Sequence, residues 1–128
     1  MDRGIRLAAA SRDGYLALRR VERQQVLIER LHATRGERVR LADLASDLGV
    51  SERTAARDVE RLQLSGVPLE THPGRGGGVS LSPTGEVLPV MFDLPEVAAL
   101  MSSLAVLGPS VSQSAASAMR KLAEALSP

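Results

Sequence analysis

At 128 residues with 44% hydrophobic content, the chain has room for one domain, or one small domain with an appendage, around a modest core. With no Cys, a disulfide framework and a thiolate metal site are both excluded, and His32 and His72 lie too far apart to suggest a shared site. The net charge of +1 conceals a division, since residues 1–82 carry 14 Arg against 11 acids while residues 83–128 carry 2 Lys/Arg against 4 acids.

Residues 1–18 hold only a short apolar patch within 5–10, too little for a secretory signal, and Gly4 and Gly14 interrupt any helical period. They are expected to form a loosely ordered leader. From Arg20 a pattern settles: Val21, Leu27, Ile28 and Leu31 follow a helical repeat that stops at Arg35 and Gly36. After a short extended piece, Leu41, Leu44, Ala45 and Leu48 are spaced by three and four, which predicts a second helix of two turns closed by Gly49. Ser51 is placed to cap a third helix, with Glu52 in its first turn, running to about Ser65 before Gly66. "VPLE" and "VSLS" read as short strands around a flexible tip, "THPGRGGG". The fold class expected is therefore mainly α with a small β-hairpin wing. Residues 19–82 form a winged helix-turn-helix, with Gly49, Val50 and Ser51 as the turn between the second and third helices.

Residues 83–92 read as a connector in which Phe92 anchors to the core. Asp93 and Glu96, three apart, open a helix to about Leu107, and Gly108 with Pro109 ends it. A last helix from about Val111 sets Val111, Ala115, Ala118, Met119, Leu122 and Leu126 along one stripe. The fourth helix is apolar over most of its circumference. Its Leu94, Val97, Leu100, Met101 and Leu104, with Met119 and Leu122 of the last helix, are expected to be covered by a second copy, making 93–128 a dimerisation or linker region, or else by a domain outside this chain. The run 87–107 has the length of a membrane span, but Pro89, Asp93, Pro95 and Glu96 exclude that use, and cytoplasmic residence is the simplest expectation.

The third helix carries the chemistry. Arg53, Arg57 and Arg61 share one face, opposite Ala55, Val59 and Leu62. In a helix-turn-helix the first half of this helix meets base edges in a major groove of double-stranded DNA, so Arg53, Thr54 and Arg57, with Ser51 at the helix start, are the candidate readers, and Arg61 is the candidate phosphate contact. The competing reading is a solvated face on which Arg57 pairs with Glu60. In the tip, Gly74, Gly76, Gly77 and Gly78 do not fit G-x-G-x-x-G and no GK[ST] follows, which argues against a nucleotide site. As a wing, Gly76 and Gly77 permit close approach to DNA while Arg75 reaches a minor groove; the alternative is a plain flexible hairpin. Nothing supplies a nucleophile, base and orienter, so no catalytic residue, cofactor or metal is expected. Tyr15 and Phe92 are the only aromatics, too few to form stacking platforms for single strands or RNA.

Together, "RQQVLIERLHATRGERVRLADLASDLGVSERTAARDVERLQLSGVPLETHPGRGGGVSL" and "LPVMFDLPEVAALMSSLAVL" resemble the DNA-binding half of the WYL-domain transcriptional regulators, whose winged helix is shared with DeoR-type repressors, over residues 20–107. The resemblance implies a bacterial regulator that binds double-stranded DNA as a homodimer, with Arg53, Thr54, Ala56 and Arg57 on the recognition surface and Arg75 on the wing. Ala56 stands where the family usually has Tyr, and Arg40 where Ser or Thr usually caps the second helix. The resemblance also implies an effector-sensing domain beyond the last helix, so this chain is either a fragment or a stand-alone regulator whose signal comes from elsewhere. The alternative is a winged-helix protein-interaction module that modulates a partner regulator without binding DNA.

Overall fold

The computed structural model describes residues 3–82, 88–108 and 111–128, and the side chains of α1 at Arg12 and from Gly14 onward. In chain order come α1 (Arg3–Ala33), α2 (Leu41–Leu48), α3 (Glu52–Leu64), β1 (Leu69–His72), β2 (Gly78–Leu81), α4 (Leu94–Leu107) and α5 (Gln113–Leu126). Two compact units result: Arg23–Glu86, and Met1–Glu22 with Val87–Pro128.

Arg23–Glu86 is a winged helix-turn-helix. Its core gathers Leu27 and Leu31 from α1, Val39 from the following loop, Leu44 from α2, Val59 and Leu62 from α3, and Leu69, Val79 and Leu81 from the hairpin. Each element supplies the residues at its own period, every third or fourth on the helices and every second on β2. The turns between them are set locally. Past α1, Thr34 Oγ1 donates to the Leu31 carbonyl at 2.6 Å, and Arg35 (φ 52°) and Gly36 (φ 90°) reverse the chain. Gly49 closes α2 at φ 68°, with its N–H and that of Val50 returning to α2 carbonyls. Three residues later α3 is running, its first turn capped by Ser51 Oγ, which accepts from the Thr54 N–H at 3.1 Å.

The hairpin pairs antiparallel, Leu69 with Leu81, Glu70 with Ser80, Thr71 with Val79 and His72 with Gly78. The strands reach further into the glycine-rich segment than "VPLE" and "VSLS" suggest, because Thr71 and His72 join β1 and Gly78 starts β2. Val39 adds a third edge: it and Val79 exchange two N–H···O bonds of 2.8 Å, stitching the α1–α2 loop to the wing.

In the other unit the largest departure is at the N-terminus. Residues 1–18 are expected as a leader, whereas α1 runs from Arg3 through Gly4 and Gly14. Each interior glycine costs about 1 kcal/mol relative to Ala, and the Leu, Ala and Arg residues around them are strong helix formers that sustain the helix. Asp93 and Glu96 form a full capping box at the start of α4, each side chain accepting from the other's backbone N–H at 2.9 Å. Ser112 caps α5 singly, its Oγ accepting from the Ala115 N–H at 3.0 Å, so the last helix begins at Gln113 and Val111 lies before it.

Of the seven residues expected at a dimer interface, Val97 is buried, Leu94 and Leu100 are exposed, and Met101, Leu104, Met119 and Leu122 are half-buried. Phe92 does not anchor the connector. It is 48% exposed beside the more open Leu88, Val90 and Met91. The remainder of the connector, residues 83–87, lies outside the described residues. No described helix is long and apolar enough to cross a membrane.

Candidate nucleic-acid interface

The geometry of α3 follows from what it buries. Ala55, Asp58, Val59 and Leu62, at i, i+3, i+4 and i+7, are its buried residues. With that stripe fixed inward, Arg53, Ala56, Arg57 and Glu60 are exposed, and Thr54 is half-buried with Oγ1 3.1 Å from Ser51 Oγ. Arg53 and Arg57 form no ion pair among the described residues, and the Arg57–Glu60 pair weighed as the alternative is not among those formed.

Arg61 behaves differently from its two neighbours. Its Nη1 lies 3.7 Å from Asp58 Oδ1, with 44% of the side chain exposed. Asp58 itself is completely buried, a feature the sequence reading missed. Arg23 of α1 grips it at two points, Nε to Oδ2 at 2.5 Å and Nη2 to Oδ1 at 3.0 Å, and Gln24 Nε2 donates to Oδ1 at 3.3 Å. The hydrogen bond to Asp58 holds the Arg23 pKa above the ordinary arginine value, against the opposing effect of burial. The signal was present in the sequence: Asp58 is the one charge on a stripe otherwise of Ala, Val and Leu, and such a residue needs an internal partner.

On the wing, Arg75 is exposed at the tip, Gly76 is exposed and Gly77 half-buried. The tip turns through a Gly77 N–H bond to the Gly74 carbonyl at 3.1 Å. A Cβ at Gly77 would strike the His72 carbonyl, and one at Gly78, where φ is 137°, the Val39 carbonyl. Backbone crowding thus sets these glycines, from within the wing at Gly77 and from the α1–α2 loop at Gly78, a cause independent of any ligand. Side chains hold the wing to the helices as well. Gln63 Nε2 donates to the Leu69 carbonyl at 3.0 Å and to Thr71 Oγ1 at 3.2 Å, and Arg38 Nη1 donates to the Gly76 carbonyl at 3.5 Å. His72 Nε2 and Ser80 Oγ share a cross-strand hydrogen bond of 2.9 Å, which gives this histidine a structural partner.

Between α3 and the wing runs a groove of about 1030 Å³. Glu52, Ala56 and Glu60 of α3 form one wall, Arg40 to Ala42 at the start of α2 another, and the wing from Thr71 to Val79 the third. Ala56 leaves this groove open where a larger side chain would fill it. No group of three or more His, Cys, Asp or Glu that could hold a metal occurs among the described residues.

Residues 23–79 match the family model of the HTH domain. The matched segment takes in the end of α1, all of α2, α3 and β1, and the first residues of β2, the elements that form the winged helix-turn-helix. Among curated proteins, the chain is 34% identical over 68 residues to the "Uncharacterized HTH-type transcriptional regulator YobV" of Bacillus subtilis (strain 168), an alignment covering 53% of this chain and 22% of that protein. The chain therefore spans about a fifth of the length of this relative. No solved structure matches.

Proposed function

We propose that the protein is a sequence-specific, double-stranded DNA-binding transcriptional regulator with a non-enzymatic role, its α3 lying in the major groove and the wing following the adjacent minor groove. One observation carries this reading. Arg53 and Arg57 stand exposed and without ion-pair partners among the described residues, on the first half of the second helix of a helix-turn-helix whose other face is locked into a core. Guanidinium groups so presented can each donate two parallel hydrogen bonds to guanine O6 and N7. Ser51 and Thr54 flank them at the helix start, Ala56 contributes small surface beside a thymine methyl, and Arg75 with Gly76 and Gly77 reaches the minor groove. The printed description of the Bacillus relative as a transcriptional regulator supports the same assignment.

The finer affiliation proposed is with the WYL-type regulators and their DeoR-like winged helix, acting as a cytoplasmic homodimer through α4 and α5. Leu94 at 65% exposure and Val106 at 88% leave α4 with apolar surface that a second copy would cover. Effector sensing then belongs to another domain or protein.

Fluorescence anisotropy of the chain against DNA upstream of its own gene and a scrambled duplex, at several salt concentrations, tests the reading. Specific binding is expected, and Arg57→Ala should weaken it by about 10-fold to 100-fold, the equivalent of one bidentate base contact. Equal affinity of the mutant for the upstream duplex would remove α3 as the reader. The exposed apolar face of α4 also favours a second reading, an interaction module for a partner regulator; binding to neither duplex at low salt, with capture by such a regulator, would decide for it.

A further inference from the structure

Asp58 is the buried charge among the described residues, and it sits in the middle of the stripe that fastens α3 to its domain. A carboxylate withdrawn from water loses hydration that its ion pair only balances, and an apolar pair of similar volume would serve the core as well. The pair's geometry suggests what else it does. From the inside, Arg23 and Gln24 of α1 deliver three hydrogen bonds to the carboxylate. From the outside, Arg61 approaches the same Oδ1 at 3.7 Å, a distance at which charge attracts without a hydrogen bond. The Arg61 guanidinium is thus placed by Asp58 while its N–H donors stay available.

We infer that Asp58 is a positioning residue for a DNA-backbone contact made by Arg61. The inner pair fixes a negative point beneath the outer face of α3. That point holds one edge of the Arg61 guanidinium and turns the other edge outward toward a phosphate. Arg61 can shift onto the phosphate without stranding the carboxylate, because Arg23 and Gln24 stay on it. Restraining a long side chain before association removes part of the ordering cost of binding, an advantage that Arg53 and Arg57 lack. The inference rests on the reading of α3 as a DNA-binding helix.

A double-mutant cycle tests it on the full chain with a mixed-sequence duplex of about 20 bp. Arg61→Ala is compared in the native background and in Arg23→Met/Asp58→Leu, a double replacement that leaves net charge unchanged and exchanges the buried pair for apolar contacts. In the native background Arg61→Ala should weaken binding several-fold and reduce the slope of log K against log salt by about 0.9, the mark of one phosphate contact. In the apolar background the same substitution should have at most a third of that effect on a logarithmic scale. An undiminished effect there would overturn the inference and leave DNA binding standing, whereas failure of the native chain to bind any duplex at low salt would overturn both. NMR relaxation of the arginine Nε–H groups in the free native chain gives a second reading that needs no variant to fold. Arg61 should be more ordered than Arg53 and Arg57, and equal mobility of the three would count against Asp58 as its anchor.

Discussion

Replacing Gly78 with Ala tests how the wing is held to the domain. At φ 137° this residue adopts a backbone conformation that L side chains rarely take, and its new Cβ would meet the Val39 carbonyl, which cannot swing aside as a side-chain end would. Relief requires the start of β2 to move away from the 37–40 loop, and that breaks the two Val39–Val79 hydrogen bonds of 2.8 Å. Two such bonds are worth about 1 kcal/mol each. Strain at a disfavoured φ adds about 1–3 kcal/mol. The expected loss is therefore about 3–5 kcal/mol, a large share of what a small domain possesses. Gly76→Ala is the control: φ there is 72°, but nothing lies within 4 Å of the added Cβ, so only left-handed strain of about 1–2 kcal/mol applies. Urea unfolding followed by far-UV circular dichroism measures both, read as midpoints at comparable m-values. Equal midpoints for the two variants would refute the claim that backbone crowding at Val39, rather than dihedral preference, makes Gly78 necessary.

Other substitutions separate local from tertiary contributions. Arg40 occupies the N-cap of α2 in extended geometry (φ −63°, ψ 141°) with no side-chain hydrogen bond, so Arg40→Ser should stabilise the domain by about 1 kcal/mol in thermal unfolding. Leu31→Ala, at a fully buried core position, should destabilise it by about 2–5 kcal/mol, whereas Leu64→Ala, at 82% exposure on the end of α3, should change stability by less than about 0.5 kcal/mol; similar urea midpoints for the two would contradict the assigned core. Asp93→Ala removes the side-chain acceptor of the α4 capping box, leaving only the backbone N–H of position 93 on Glu96, and should speed hydrogen exchange of the Glu96 amide, in line with a loss of about 1 kcal/mol at that terminus.

What the sequence made legible was whatever depends on local periodicity and end signals. The two-turn α2, the Gly49 turn, the Ser51 cap and the Asp93–Glu96 box all lie where their residue types place them, because each is decided within four or five positions. The helical reach of α1 exceeds what its glycines suggest for a related reason. Gly4 and Gly14 interrupt the period, but a single glycine is a modest penalty against a run of good helix formers. Features resting on distant partners were not visible. Asp58 meets Arg23 across 35 positions, and the crowding that requires Gly78 comes from Val39 on another loop. Phe92 is hydrophobic enough for a core, yet it stays half exposed beside Leu88, Val90 and Met91, which are more exposed still.

The distribution of charge on α3 links these pieces. The helix carries Arg53, Arg57 and Arg61 against Glu52, Asp58 and Glu60, so as a whole it attracts a polyanion weakly. Position divides the six. Asp58 is withdrawn into the core against Arg23, and Glu52 and Glu60 line the groove on the wing side with Ala56 between them, while Arg53 and Arg57 are absent from that lining. The exposed surface thus has a basic stripe and an acidic stripe about one residue apart around the helix. If α3 lies in a major groove, phosphates are repelled from the Glu52–Glu60 side and drawn to the arginine side, which selects one rotation of the helix about its axis. Such an arrangement gives up non-specific affinity for orientation, the balance that the proposed role of Arg53 and Arg57 at base edges, rather than on the backbone, would require.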